Sequence, residues 1–145
     1  MIKDPIVVVS ATRTPMGHYG GYFKETPSSE LGTAAIKATV ERAGLEPENI
    51  DEVIIGCVLS TKQGQAPARQ AAIKAGLPAN IPYTTVNKMY GSRMKAIMLA
   101  HDGILASSYE YVVAGGMENM SVAPYLLMKA PFSYRLGDTT EFMTT

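Results

Sequence analysis

The sequence predicts an α/β fold, a mostly parallel sheet with flanking helices. Three observations carry this. Ile6 to Val9, Val53-Ile54-Ile55 and Tyr111-Val112-Val113-Ala114 are continuous apolar runs rich in β-branched residues, the pattern of strands covered on both faces. Helical stretches with recognisable start and stop signals lie between them. The resulting order β, α, β, α, β, α, β with short connections calls for right-handed crossovers within one layer.

Taken in order, Ile6 to Val9 is the first expected strand. The first helix has Thr26 as N-cap and Pro27 at its first position, where a missing N–H does no harm, and it closes at Gly44. Glu30, Thr33, Lys37 and Glu41 recur at spacings of three and four, giving that helix one wet stripe. The strand at Val53-Ile54-Ile55 follows. A second helix runs from about Pro67 to Ala75, with Gly76 and Pro78 as stop signals. Tyr83 to Asn87 is the next strand.

The third helix, from near Gly91 to about Ala106, differs from the others. Ala96-Ile97-Met98-Leu99-Ala100 covers more than one turn with nonpolar side chains. A helix apolar nearly all round expects cover on more than one side, and the chain's own sheet supplies only one. A second layer from elsewhere is implied; the alternative is a surface helix with an unusually apolar face. After Ser121 the periodicity is lost among Pro124, Pro131 and Gly137. The expected division is therefore a domain over 1–121 and an irregular or disordered segment over 122–145.

Composition narrows the function classes. A chain of 145 residues, 46% hydrophobic and 18% charged, can bury one core. Thirteen basic residues balance thirteen acidic ones, and no basic run tracks a phosphate backbone, so nucleic acid is not an expected partner. Asp4 and Pro5 interrupt the region a signal peptide would need, and no stretch approaches about 18 consecutive apolar residues. The expectation is a cytoplasmic protein with no membrane partner. The single cysteine, Cys57, cannot form an internal disulfide. No His/Cys/Asp/Glu cluster has metal-ligand spacing, so no metal is expected.

The candidate site lies where the strand ending at Asn87 runs into the third helix, through Met89-Tyr90-Gly91-Ser92. A helix N-terminus presents unpaired N–H groups and a positive dipole end, which favour an anion such as a thiolate. Gly91 is expected to permit the tight turn. Gly115-Gly116-Met117-Glu118-Asn119 also follows a strand, but lacks the spacing of a dinucleotide fingerprint and the lysine of a P-loop. Cys57, at the end of a buried strand, reads as a small hydrophobe. His18, in a Gly-rich turn, reads as a surface histidine. His101 stands beside Asp102, and adjacent helical residues are not expected to face each other.

Ser10-Ala11-Thr12-Arg13-Thr14-Pro15, Gln65-Ala66-Pro67-Ala68-Arg69-Gln70-Ala71, Asn87-Lys88 with Gly91-Ser92, and Gly115-Gly116-Met117-Glu118-Asn119-Met120-Ser121 together make the chain resemble the amino-terminal half of a thiolase, the acetyl-CoA acetyltransferase family. The resemblance implies the first half of a five-layered α/β/α/β/α fold, with the third helix in the central layer between two similar halves. It implies coenzyme A thioesters as substrates and a nucleophilic cysteine at position 90. Here position 90 is Tyr90, and Arg93 replaces a glycine of the family's pattern. The family's catalytic histidine and second cysteine lie in its second half, and neither has a counterpart here.

A free thiol has a pKa of about 8.5 and a phenol about 10, and even a favourable helix terminus, contributing up to about 2 kcal/mol, lowers a pKa by only about 1.5 units. Tyr90 is expected to plug the pocket rather than act as nucleophile, and Arg93 to obstruct a close approach that glycine allows; an anion clamp is the alternative for Arg93. No catalytic residue and no resident cofactor is assigned. The reading is a truncated, catalytically inactive thiolase-like protein. Its alternatives are an assembly module, pairing with itself or with a separately encoded thiolase half, and a working acyl-CoA acyltransferase.

Overall fold

A computed structural model describes residues 6–125. Three parallel strands and three helices form its frame: α1 (Ser28–Ala43), β1 (Glu52–Gly56), α2 (Pro67–Lys74), β2 (Tyr83–Val86), α3 (Ser92–Leu105) and β3 (Val112–Gly116). Single 3₁₀ turns at Pro47–Asn49 and Met120–Val122 complete it.

The strand order is β2-β1-β3, with Val53 opposite Tyr83 on one side and opposite Val113 on the other. The central strand β1 is therefore hydrogen-bonded along both edges, and helices cover both its faces, as its continuous Val53-Ile54-Ile55 run requires. Val53 and Ile55 point into a core shared with Ile36 and Val40 of α1 and Ala68, Ala71 and Ala72 of α2. Ile54 points the other way, onto Ala96 and Ala100 of α3. Alternation along the strand thus builds three layers, with α1 and α2 on one face and α3 on the other.

The helix ends follow local chemistry. At the C-terminus of α1, Gly44 adopts φ +66°, the left-handed conformation that lets its N–H reach Glu41 O at 3.1 Å and the Leu45 N–H reach Val40 O at 3.4 Å. Its N-terminus lies one residue later than expected. Pro27 has ψ 142°, extended rather than helical, so it is the cap residue and Ser28 the first helical one. The wet stripe is broken at Thr33, which is half-buried and donates to Ser29 O at 2.7 Å and Ala71 O at 3.0 Å, joining α1 to α2.

Ile6 to Val9 is not a strand. Val7, Val8 and Val9 are 65%, 84% and 63% exposed, and the run joins no ladder in the described sheet. A β-branched run becomes a strand only where neighbouring backbone accepts it. The chain is anchored just beyond, where the Thr12 hydroxyl donates to Ala35 O of α1 at 2.8 Å.

Helix α3 buries only Ser92, Ala96 and Ala100. Met94, Ile97 and Met98 are 59%, 46% and 51% exposed, so the side turned from the sheet carries an apolar patch, flanked by the exposed Arg93, His101 and Asp102, that is uncovered within the described residues. No helix of the described residues is long and apolar enough to cross a membrane. Of the segment 122–145 expected to be irregular, 126–145 lies outside the described residues.

Candidate functional site at the N-terminus of helix α3

In a parallel sheet, ligands meet the carboxyl ends of the strands. Here those ends bring together Gly56-Cys57-Val58 after β1, Asn87-Lys88 after β2 and Met117-Glu118-Asn119 after β3, beside the first turn of α3.

The β2–α3 turn is closed by its own side chains. Asn87 Oδ1 accepts the Met89 N–H at 3.1 Å. The Ser92 hydroxyl accepts the Lys88 N–H at 2.9 Å and donates to Met89 O at 2.7 Å. Backbone bonds from Gly91 N to Lys88 O (2.9 Å) and from Ser92 N to Met89 O (3.3 Å) complete the turn. The special backbone residue is Met89, at φ +45°, and not Gly91, which has an ordinary φ of −93°. A Cβ on Gly91 would come no closer than 3.4 Å to another heavy atom. The expectation that Gly91 permits the turn is therefore corrected.

Tyr90 sits at the apex of this turn and is fully exposed, at 103%. It plugs no pocket within the described residues, contrary to expectation, because the locked turn directs it outward. Arg93, also exposed, has its Cβ only 3.0 Å from where a Cβ on Gly116 would lie, so its stem crowds the end of β3.

The neighbouring loops are tied together across long stretches of sequence. The Glu118 carboxylate accepts the N–H of Val58 at 2.7 Å and of Leu59 at 3.1 Å, fixing the loop after β1 to the end of β3. Asn119 Nδ2 donates to Phe23 O at 2.7 Å and Thr26 O at 2.8 Å, and its Oδ1 accepts the Ser121 N–H at 3.1 Å. Sequence reasoning marked the motif that contains Glu118 and Asn119 but gave these residues no role.

Cys57 is buried in the core. Burial first, then the nearby Glu118 charge, pushes its thiol up to about 11, so it stays protonated and unreactive near neutrality. His18 is exposed, its ring lying against Gly21. His101 Nδ1 does approach Asp102 Oδ1, at 3.4 Å, contrary to the expectation from helical spacing; both side chains are more than half exposed and flexible enough to bend toward each other. Among the described residues no group of three or more His, Cys, Asp or Glu side chains could hold a metal ion. An open depression of about 440 Å³ on α2, lined by Gln65, Ala66, Arg69, Gln70, Ile73 and Lys74, includes none of the α3 turn residues.

A parallel three-stranded sheet between helices, with a locked strand-to-helix turn at its carboxyl edge, defines an α/β protein. The structure overlays on the crystal structure of the Bacillus anthracis acetyl-CoA acetyltransferase with a TM-score of 0.87 and 36% identity, over 93% of this chain and 34% of that one. The chain belongs to the thiolase family: residues 6–144 match the model of the thiolase N-terminal domain. It is 54% identical over 133 residues to the acetyl-CoA acetyltransferase of Cupriavidus necator, covering 92% of this chain and 34% of the relative. It is 48% identical over 132 residues to a probable acetyl-CoA acyltransferase of Staphylococcus aureus, covering 91% and 34%. The chain spans about a third of the length of these relatives.

Proposed function

We propose that this chain is a thiolase-like protein that does not itself catalyse acyl transfer. One observation carries the reading: the position that the resemblance gives to the nucleophilic cysteine is the exposed phenol of Tyr90, while the chain's single thiol, Cys57, is buried and held protonated. Acyl exchange through a thioester needs a thiolate that the substrate can reach, and Cys57 offers neither the charge nor the access. The turn keeps the form of a nucleophile site without its reactive group. Incubation of the purified chain with acetyl-CoA or acetoacetyl-CoA, followed by intact-mass analysis and assay for free coenzyme A, is expected to give no acyl adduct and no turnover. An acyl adduct on Tyr90, or robust turnover, would overturn the proposal.

A second reading, an assembly module, is favoured by the apolar side of α3, where Met94, Ile97 and Met98 are about half exposed. Apolar surface is worth about 25 cal/mol per Å² when buried, and an exposed contiguous patch marks an association site or a liability. The resemblance places this helix between two halves of the fold. Affinity purification from the native source should recover a second copy or a thiolase-like partner; a soluble monomer that recovers neither would sink this reading.

A further inference from the structure

We draw no further inference here: the strongest candidate, the apolar face of α3 formed by Met94, Ile97 and Met98, already carries the assembly reading, and nothing in the structure shows what covers it.

Discussion

Gly56 at the end of β1 meets Ser92 at the start of α3 so closely that a Cβ on Gly56 would lie 2.7 Å from the Ser92 Cβ and 2.6 Å from its carbonyl carbon. This contact sets how near the helix N-terminus comes to the sheet. Both obstructing atoms belong to a buried, hydrogen-bonded residue, so neither swings aside as a long side chain would. Gly56→Ala should therefore destabilise the chain by about 1–3 kcal/mol, the usual range for overpacking. Urea denaturation checks this, and an unchanged midpoint would show that α3 can retreat without loss.

Tyr90→Cys tests whether the turn still presents a reactive position. Tyr90 is fully exposed, so the substitution should change stability by no more than about 0.5 kcal/mol. A thiol there, at the helix N-terminus, should alkylate with iodoacetamide at least about tenfold faster than the buried Cys57 at pH 7. Peptide mapping of the alkylated protein separates the two sites. No acetyl-transfer activity is expected, because the neighbouring thiol, Cys57 after β1, is buried and stays protonated.

The turn backbone yields a paired prediction. Met89 holds φ +45°, which disfavours any residue with a Cβ by about 1–2 kcal/mol, whereas Gly91 is neither strained nor crowded. Met89→Gly should be neutral or stabilising by up to about 1 kcal/mol, and Gly91→Ala should cost no more than about 0.5 kcal/mol. Thermal melts of both variants are decisive: the opposite ranking would mean that Gly91, as the sequence suggested, is the turn's special residue.

These residues also show what could be read from the sequence. Helix α2 was legible because Pro67 and Gly76 punctuate it, and the two-sided burial of β1 because Val53-Ile54-Ile55 does not alternate. The tight turn points to Gly91 in the sequence because glycine is its usual enabler, whereas the left-handed residue is Met89, two positions earlier. The role of Glu118 was invisible, since its partner Val58 lies 60 positions earlier and only the strand order β2-β1-β3 brings them together. Ile6 to Val9 failed for the opposite reason, a strong local pattern without a neighbouring ladder.

Glu118 should therefore matter to the fold. Glu118→Gln keeps one acceptor oxygen but turns an NH₂ toward the other backbone N–H, so one of the two bonds to Val58 and Leu59 is lost. A hydrogen bond to a charged acceptor is worth about 1.5–3 kcal/mol when shielded, and this exposed pair should give about 1 kcal/mol. Amide hydrogen exchange at Val58 and Leu59 should accelerate while that of β1 stays protected. Uniform acceleration across the sheet would show that Glu118 supports the whole fold instead of this loop.

Cys57 predicts an alkaline limit on stability. The folded thiol keeps its proton to about 11, well above the ordinary thiol range of about 8.5 to 9. Between these values the unfolded chain binds fewer protons than the folded one, so stability falls as pH rises through that window and is fully present below it. Tyr83 and Tyr109, also raised by burial, add losses of the same sign at the upper end. Cys57→Ala removes only the thiol's share: its stability should fall less steeply between about pH 9 and 11. Parallel slopes for the two proteins would show that Cys57 does not titrate in this window.

The apolar side of α3 predicts how the isolated chain behaves. Met94, Ile97 and Met98 are exposed while Ala96 and Ala100 hold the helix to the sheet, so charge can be placed on the outer side without entering the core. The wild-type chain should bind a hydrophobic dye such as ANS and self-associate as its concentration rises. Ile97→Glu with Met98→Lys should reduce both several-fold and change unfolding stability by less than about 1 kcal/mol, since neither residue is buried. Pairing opposite charges keeps the net charge at zero, so a gain in solubility would come from lost apolar contact and not from repulsion between copies. A wild-type chain that remains monomeric and dye-silent at high concentration would contradict the exposure of this face, and with it the assembly reading.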